Sequence, residues 1–496
     1  MAVNIRDALT RSRHSHSVRW GVLAGLLGLV SALLPAPISG VGIGAALLVA
    51  CVVITPYAAL LLLLVFAPLR TLIATEAPLQ LPLDIGQLSL ILLIGVWAAE
   101  ALINRRRLPR IRWTPVYLPV LGFFAAASLS AFSAGSMSAW LNEWLKWAQI
   151  LLLIAITYDL GRRNNGREWI VFALTVAGVG NALIGIYEYF GGSGALHLLV
   201  NGNHFRAFGT FGQPNPFGGF MGLLAPLALM AAGGYALRLW RKWRRQRATI
   251  TLLDLVPVGF YGVAFGLMTV GVYVSVSRGA WLAFAASLGV MAFALPRKTS
   301  YGLALIGVGA ALGVFLWTTG RVPASIVARI DSFTQETFAI SDVRGVLITS
   351  ENYAVIERLA HWQAAVNMAT AHPVLGVGFG NYEAAYPAYS LMNWELALGH
   401  AHNYYLNVLA ETGMIGLLSY LGLWVMIGLI TWRARRHPDQ LSRFTAVGLL
   451  GTWVYLTVHS FTDNLWVNNV FMHMGVMLGI LALLHREVRG QENLGL

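Results

Sequence analysis

Three stretches of the sequence set cationic or imidazole side chains where apolar chain turns back on itself. The first is Asn201-Gly-Asn-His-Phe-Arg206-Ala-Phe-Gly-Thr-Phe-Gly-Gln-Pro-Asn215-Pro-Phe-Gly-Gly219. Glycine and proline let backbone approach a ligand, and a guanidinium meets phosphate oxygens with a two-pronged fork. A tight turn carrying a surface arginine would have the same composition. The second is Ser275-Val-Ser277-Arg278-Gly279-Ala-Trp281. Topology would put a cation on the inner side, so Arg278 at the outer end of two crowded apolar runs is a functional candidate. An arginine snorkelling to outer headgroups is the alternative. The third is Gly399-His400-Ala-His402-Asn403, continuing to Glu411-Thr-Gly413-Met-Ile-Gly416. It marks the return from a long polar loop into apolar chain. A neutral imidazole there can take the proton of a hydroxyl acceptor, and a capping or interfacial histidine is the alternative.

His400 and His402 stand two apart, which on a helix puts them on different faces. A zinc pair stands four apart, and no third ligand stands out, so no metal site is expected. Arg358, in Glu357-Arg358-Leu-Ala-His-Trp362, is a further cation that could touch diphosphate. Gly376-Val-Gly378-Phe-Gly380 follows a helical pattern rather than a strand, so it is no dinucleotide fingerprint and is expected to shape the large loop. Glu411 is expected to brace, and His459, Asp463 and His473 to be structural. No Walker loop, paired acidic metal motif or Ser-His-Asp arrangement is read in the sequence. Arginines with one histidine, all outside, suit displacement of a diphosphate leaving group without metal or other cofactor.

The elements that must hold these residues are membrane helices. Of 496 residues 57% are hydrophobic and 11% charged, against about a quarter charged in soluble domains. Apolar runs of about 20 residues recur, the length that crosses about 30 Å of hydrocarbon. Spans are expected near 19–35, 40–54, 56–69, 85–104, 115–132, 139–160, 168–190, 216–237, 254–275, 280–296, 300–318, 403–432, 443–463 and 468–485, roughly twelve to fourteen crossings of an all-α bundle. The net charge of +13 follows the positive-inside pattern, because Lys and Arg cluster between alternate runs. Nucleic acid is therefore not an expected partner, and both termini are expected in the cytoplasm. The single cysteine, Cys51, excludes a disulfide framework. The first run reads as an anchor rather than a removed signal.

By this reading residues 1–190 form the N-terminal spans, 191–215 a short outer loop and 216–318 the central spans. Residues 319–401 form a large, mainly helical outer loop rich in acid (Asp331, Glu336, Asp342, Glu351, Glu357, Glu383, Glu395), and 402–496 the C-terminal spans and tail.

These motifs resemble the O-antigen ligase and O-antigen polymerase superfamily. The resemblance rests on Arg206 to Asn215, Ser277-Arg278-Gly279, Arg358 with Trp362, Pro373 to Tyr382, and His402-Asn403 through Glu411-x-Gly413-x-x-Gly416, and covers most of residues 200 to 420. It implies a GT-C-like transferase of the bacterial inner membrane with an undecaprenyl-diphosphate-linked glycan as donor. Arg206 and Arg278, with Arg358, would engage the diphosphate, and His402, with His400 as rival, would be the base. The motif asparagines Asn215 and Asn403 would contact substrate. The acceptor would be lipid A core for a ligase or another carrier-linked glycan for a polymerase. Competing classes are a transporter or flippase for lipid-linked sugars and a non-catalytic component of a polysaccharide secretion complex. The first predicts mid-span charges and a repeat between halves, neither of which is read here.

Overall fold

The computed structural model describes residues 50, 54–76, 83–105, 111–192, 195–200, 204–246, 250–322, 327, 342–349 and 352–492. Within them the chain is almost entirely helical: α1 (Pro56–Phe66), α2 (Arg70–Glu76), α3 (Ile85–Arg105), α4 (Tyr117–Leu129), α5 (Met137–Gly161), α6 (Gly166–Tyr187), α7 (Pro214–Gln246), α8 (Leu252–Val274), α9 (Arg278–Ala294), α10 (Thr299–Thr318), α11 (Tyr353–Ala371), α12 (Tyr382–Ala385), α13 (Tyr404–Ala434), α14 (Gln440–His459) and α15 (Val470–Glu492). The strands described are β1 (Leu199–Val200) and β2 (His204–Phe205), a two-residue antiparallel pair.

Nine helical stretches among the described residues are long and apolar enough to cross a membrane, and two shorter apolar helices stand at 117–133 and 278–294. This is the expected all-α polytopic membrane protein, because only a helix closes its own backbone hydrogen bonds in hydrocarbon. The expected spans at 19–35 and 40–54, with Cys51 and the anchor they imply, fall outside the described residues apart from positions 50 and 54. So do Asp331, Glu336 and Glu351.

The chain divides into two compact units. One takes residues 1–63 and 87–110, and its buried side chains are mainly aliphatic, Leu60, Leu63, Leu93 and Val96 among them, with Ser89 a buried polar one. The other takes residues 64–86 and 111–496 and holds every candidate site residue. In that unit the helices meet through small residues, the usual solution where apolar burial gives no net drive between helices. On α7, Gly218 and Gly222 form a G-x-x-x-G seam against α14. A Cβ at Gly222 would lie 2.1 Å from Tyr455 Cε2, and the Tyr455 hydroxyl donates to Gly218 O at 2.9 Å. On α15, Gly475 and Gly479 do the same against Leu153 and Thr157 of α5.

The long loop before α13 holds α11 and the short α12 among its described residues, and the rest of what is described is turns and irregular chain. Helix α11 buries Ala364, Ala365 and Met368 against Val377, Tyr382, Tyr386, Ala401 and Ala410. Its first half buries Val355, Ile356, Leu359 and Ala360 with Trp394. Two apolar clusters therefore fix this helix beside the N-terminus of α13.

Candidate active site

Asn403 caps α13. Its side-chain oxygen accepts the N–H groups of Tyr405 and Leu406 at 3.1 and 3.2 Å, which satisfies two of the donors a helix start leaves open. The residue before it, His402, is then held at φ 52°, a left-handed conformation that a non-glycine residue adopts only under constraint. The constraint is visible. His402 N–H donates to His400 Nδ1 at 3.1 Å, Ala401 N–H donates to Asn407 Oδ1 at 3.0 Å, and Tyr404 N–H donates to Ser460 O at 2.8 Å.

That last bond seats the histidine turn on the end of α14. There Asp463 Oδ1 lies 3.5 Å from His402 Nδ1 and 3.8 Å from His400 Nε2. The first distance is the outer limit of a hydrogen bond and well inside an ion pair. The two imidazole centroids are 4.5 Å apart. Asp463 is only 3% exposed, so its charge acts with little solvent screening.

Helix α11 closes the other side. Arg358 and His361 stand three apart and share a face. The His361 ring lies 5.9 Å from that of His402, stacks at 4.7 Å on Tyr386, and sets Nδ1 3.0 Å from the Tyr382 hydroxyl. Burial pushes His361 down to about 4, helped by the charges of His402 and His400. Burial likewise pushes His400 down to about 4, against the pull of Asp463 and with the help of His402 and Arg358. For Asp463, burial works to raise the carboxyl. The hydrogen bond from His402 and the charges of His400, His402 and Arg358 outweigh it and hold the group well below the usual carboxylate range. The cluster is thus an ionised carboxylate between imidazoles, with a guanidinium beside it.

One sequence expectation needs correction here. No third metal ligand stood out beside the two histidines, yet the fold supplies one. His400, His402 and Asp463 each offer an atom, all within 4.8 Å of one another. Such a trio could hold a divalent cation or act as a carboxylate-backed base. The charge of Arg358 already reaches Asp463 and His400. A doubly charged ion would have to sit against that guanidinium, so the donor set suits a base better.

Arg206 is positioned by the loop between α6 and α7. Glu188 Oε2 accepts the N–H groups of Phe208 and Gly209 at 2.8 and 2.6 Å, and Arg206 N–H closes the hairpin on Leu198 O at 2.8 Å. Arg206 Nε donates to Ser275 O and Nη2 to Asn215 Oδ1, both at 3.3 Å. Arg206 is thereby tied to the end of α8, three residues before Arg278 opens α9. A Cβ at Gly279 would lie 2.0 Å from Thr462 Oγ1, so the step carrying Arg278 abuts the step carrying Asp463. Asn215 and Asn403, both expected to touch substrate, use their side-chain oxygens on Arg206 and on the start of α13.

Glu188 therefore orients Arg206 without touching anything that reacts. Replacing it by Gln exchanges the carboxyl oxygen that accepts both backbone donors for an amide, a change of about 0.5–1.5 kcal/mol per hydrogen bond. Glu188→Gln is expected to raise the KM for a diphosphate-linked donor about tenfold, leaving kcat nearly intact. An equal fall in kcat in steady-state assays would show that the residue does more than place Arg206.

Asp463 was expected to be structural and stands instead beside His402, and His361 was not singled out in the sequence. His361 carried a usable signal, its helical spacing from Arg358. Asp463 carried none, because the contact spans sixty residues of chain. Expectations for Glu411 and His473 fit the geometry. Glu411 Oε1 accepts the Tyr382 N–H at 3.1 Å, and His473 Nε2 lies 2.9 Å from Leu64 O.

Comparison with known proteins bears out the resemblance to the O-antigen ligase and polymerase superfamily. Residues 263–421 match a family described as O-antigen ligase, a segment that contains Arg278, Arg358, His400 and His402. A curated relative, an O-antigen ligase of Pseudomonas aeruginosa, is 26% identical over 256 residues, covering 51% of this chain and 51% of its own length. The chain thus spans about half the length of the curated relative it matches.

Proposed function

We propose that this chain, on the strength of that O-antigen ligase match, is a metal-independent membrane glycosyltransferase. It takes glycan from an undecaprenyl-diphosphate carrier and hands it to a hydroxyl acceptor, lipid A core or another carrier-linked glycan. The reaction belongs at the outer face of the bacterial inner membrane, with both termini cytoplasmic. The observation that carries this reading is the buried Asp463 carboxylate against His402, with the charge of Arg358 reaching it.

His402 is the base. As the acceptor oxygen attacks the anomeric carbon, its proton passes to the imidazole, and Asp463 offsets the positive charge that forms. The bond from that carbon to the bridging phosphate oxygen breaks, and its electron pair leaves with the carrier diphosphate. Arg206, Arg278 and Arg358 offset the charge on the leaving group, where a guanidinium fork matches phosphate oxygens. His400 stays neutral at working pH because burial disfavours its proton. It holds the His402 backbone rather than competing for the acceptor.

The test is transfer by purified protein in detergent, with a carrier-linked oligosaccharide, both acceptor classes, and EDTA present. Wild type is expected to work with EDTA, and Arg278→Ala to fall by about 10²-fold or more, the range of one charge-stabilising group. Arrest by EDTA, or an Arg278→Ala variant equal to wild type, would overturn the mechanism. The acceptor that is consumed decides between ligase and polymerase.

A further inference from the structure

A second concave site lies at the ends of α6, α7 and α8 remote from the Arg206 loop. The start of α6, the late part of α7 and the start of α8 enclose a cavity of about 420 Å³. Five of its lining side chains are aromatic and touch in sequence. Trp169 meets Phe172 edge-on at 5.7 Å, Phe172 meets Phe260 at 5.2 Å, Phe260 meets Tyr261 edge-on at 5.0 Å, and Tyr261 stacks on Tyr235 at 5.6 Å. One charged side chain lines the cavity, Glu168. Its carboxylate pairs at 3.5 Å with Arg238.

We propose that this cavity binds the headgroup of a phospholipid bearing a primary ammonium, such as phosphatidylethanolamine. Ring faces are electron-rich and attract a cation, and Glu168 adds a full negative charge among them. An ammonium is also a donor with three N–H groups for that carboxylate. The lipid phosphate, two carbons away, then meets Arg238 next to Glu168. The surroundings suit a lipid rather than a free amine, since Trp169 is 54% exposed and Val256 60%, with Leu252 and Leu253 bare nearby. Acyl chains can lie along these apolar side chains. Charge sets the preference: the neighbouring end of α7 is dense in cations (Arg238, Arg241, Lys242, Arg244) and would draw any anionic lipid, whereas the cavity itself presents a carboxylate.

The experiment is native mass spectrometry of the full chain in detergent, given equal amounts of phosphatidylethanolamine, phosphatidylglycerol and phosphatidylcholine. Wild type is expected to retain the ethanolamine lipid at least about fivefold over each of the others, because the choline ammonium has no N–H to give Glu168 and the glycerol lipid has no cation for the rings. Glu168→Gln is expected to abolish that preference, and Phe260→Ala to weaken it, with thermal unfolding checked for both. Equal or greater retention of the choline lipid by wild type, or an ethanolamine-over-choline preference that survives Glu168→Gln in folded protein, overturns the proposal; the glycerol lipid reports the cationic end of α7 and should be retained alike by both. Transfer activity is not the readout, so this result stands apart from the glycosyltransferase reading.

Discussion

His402→Ala is expected to lower glycan transfer by about 10³-fold, within the range for loss of a positioned general base. Asp463→Asn is expected to lose about 10²-fold, because the amide keeps the shape but no longer offsets the imidazolium. Two features of the site make these losses separable from misfolding. His402 reaches its place through backbone bonds, from its own N–H to His400 and from Tyr404 N–H to Ser460 O, and these survive removal of its ring. The Asp463 N–H is likewise held by His459 O at 3.0 Å. Both variants should therefore unfold within a few degrees of wild type while kcat falls. The KM for the donor should change little, because the arginines that grip the diphosphate are untouched. Single-turnover transfer, measured with matched thermal melts, checks this. A His402→Ala enzyme with wild-type kcat would end the proposed chemistry. His400→Gln is the internal control: a loss matching that of His402→Ala would transfer the base role to His400.

The membrane bundle was legible because its signal is local. Each crossing needs about 20 apolar residues in a row, and hydrocarbon tolerates little else. The candidate cations were legible for the converse reason, since Arg278 stands where topology gives it no cause to be. The helix of the large loop, the cap over the site, was readable as the helical pattern ahead of Gly376, and α11 runs Tyr353–Ala371. What could not be read was pairing across distance. Asp463 reaches His402 only because the ends of α13 and α14 are brought together, and nothing in the spacing of His400 and His402 announces a third partner. Asn403 carries a role that its motif did not announce: its side-chain oxygen closes the first turn of α13, as any helix start could demand. Glu188 sat at the end of an apolar run, and only the folded hairpin shows it holding the segment that carries Arg206.

Gly376→Val is expected to leave no stably folded cap. Residue 376 sits at φ +67°, and a Cβ there would lie 2.3 Å from Glu411 C, 2.5 Å from Ala410 O and 2.5 Å from Thr412 N. These are backbone atoms of α13, which cannot rotate aside as a side chain would. The approach is this close because Gly413 interrupts α13 at φ 64°, ψ −165°. The carbonyls next to that break accept new donors, Val377 N–H on Ala410 O and Gly378 N–H on Glu411 O, both at 2.9 Å. A side chain at 376 forces this double contact apart and also carries about 1–2 kcal/mol of left-handed strain. The sum should exceed about 4 kcal/mol, in the class of change that unfolds a marginal structure. Gly422→Ala, on the same helix with open space around it, is the contrast and should be near neutral. The two variants are compared by thermal unfolding and by protease cleavage within 342–401. The cap also carries Arg358 and His361, so transfer should vanish with the fold in Gly376→Val and persist in Gly422→Ala. Wild-type melting of Gly376→Val would mean that the glycine-rich segment does not dock on the α13 break as described.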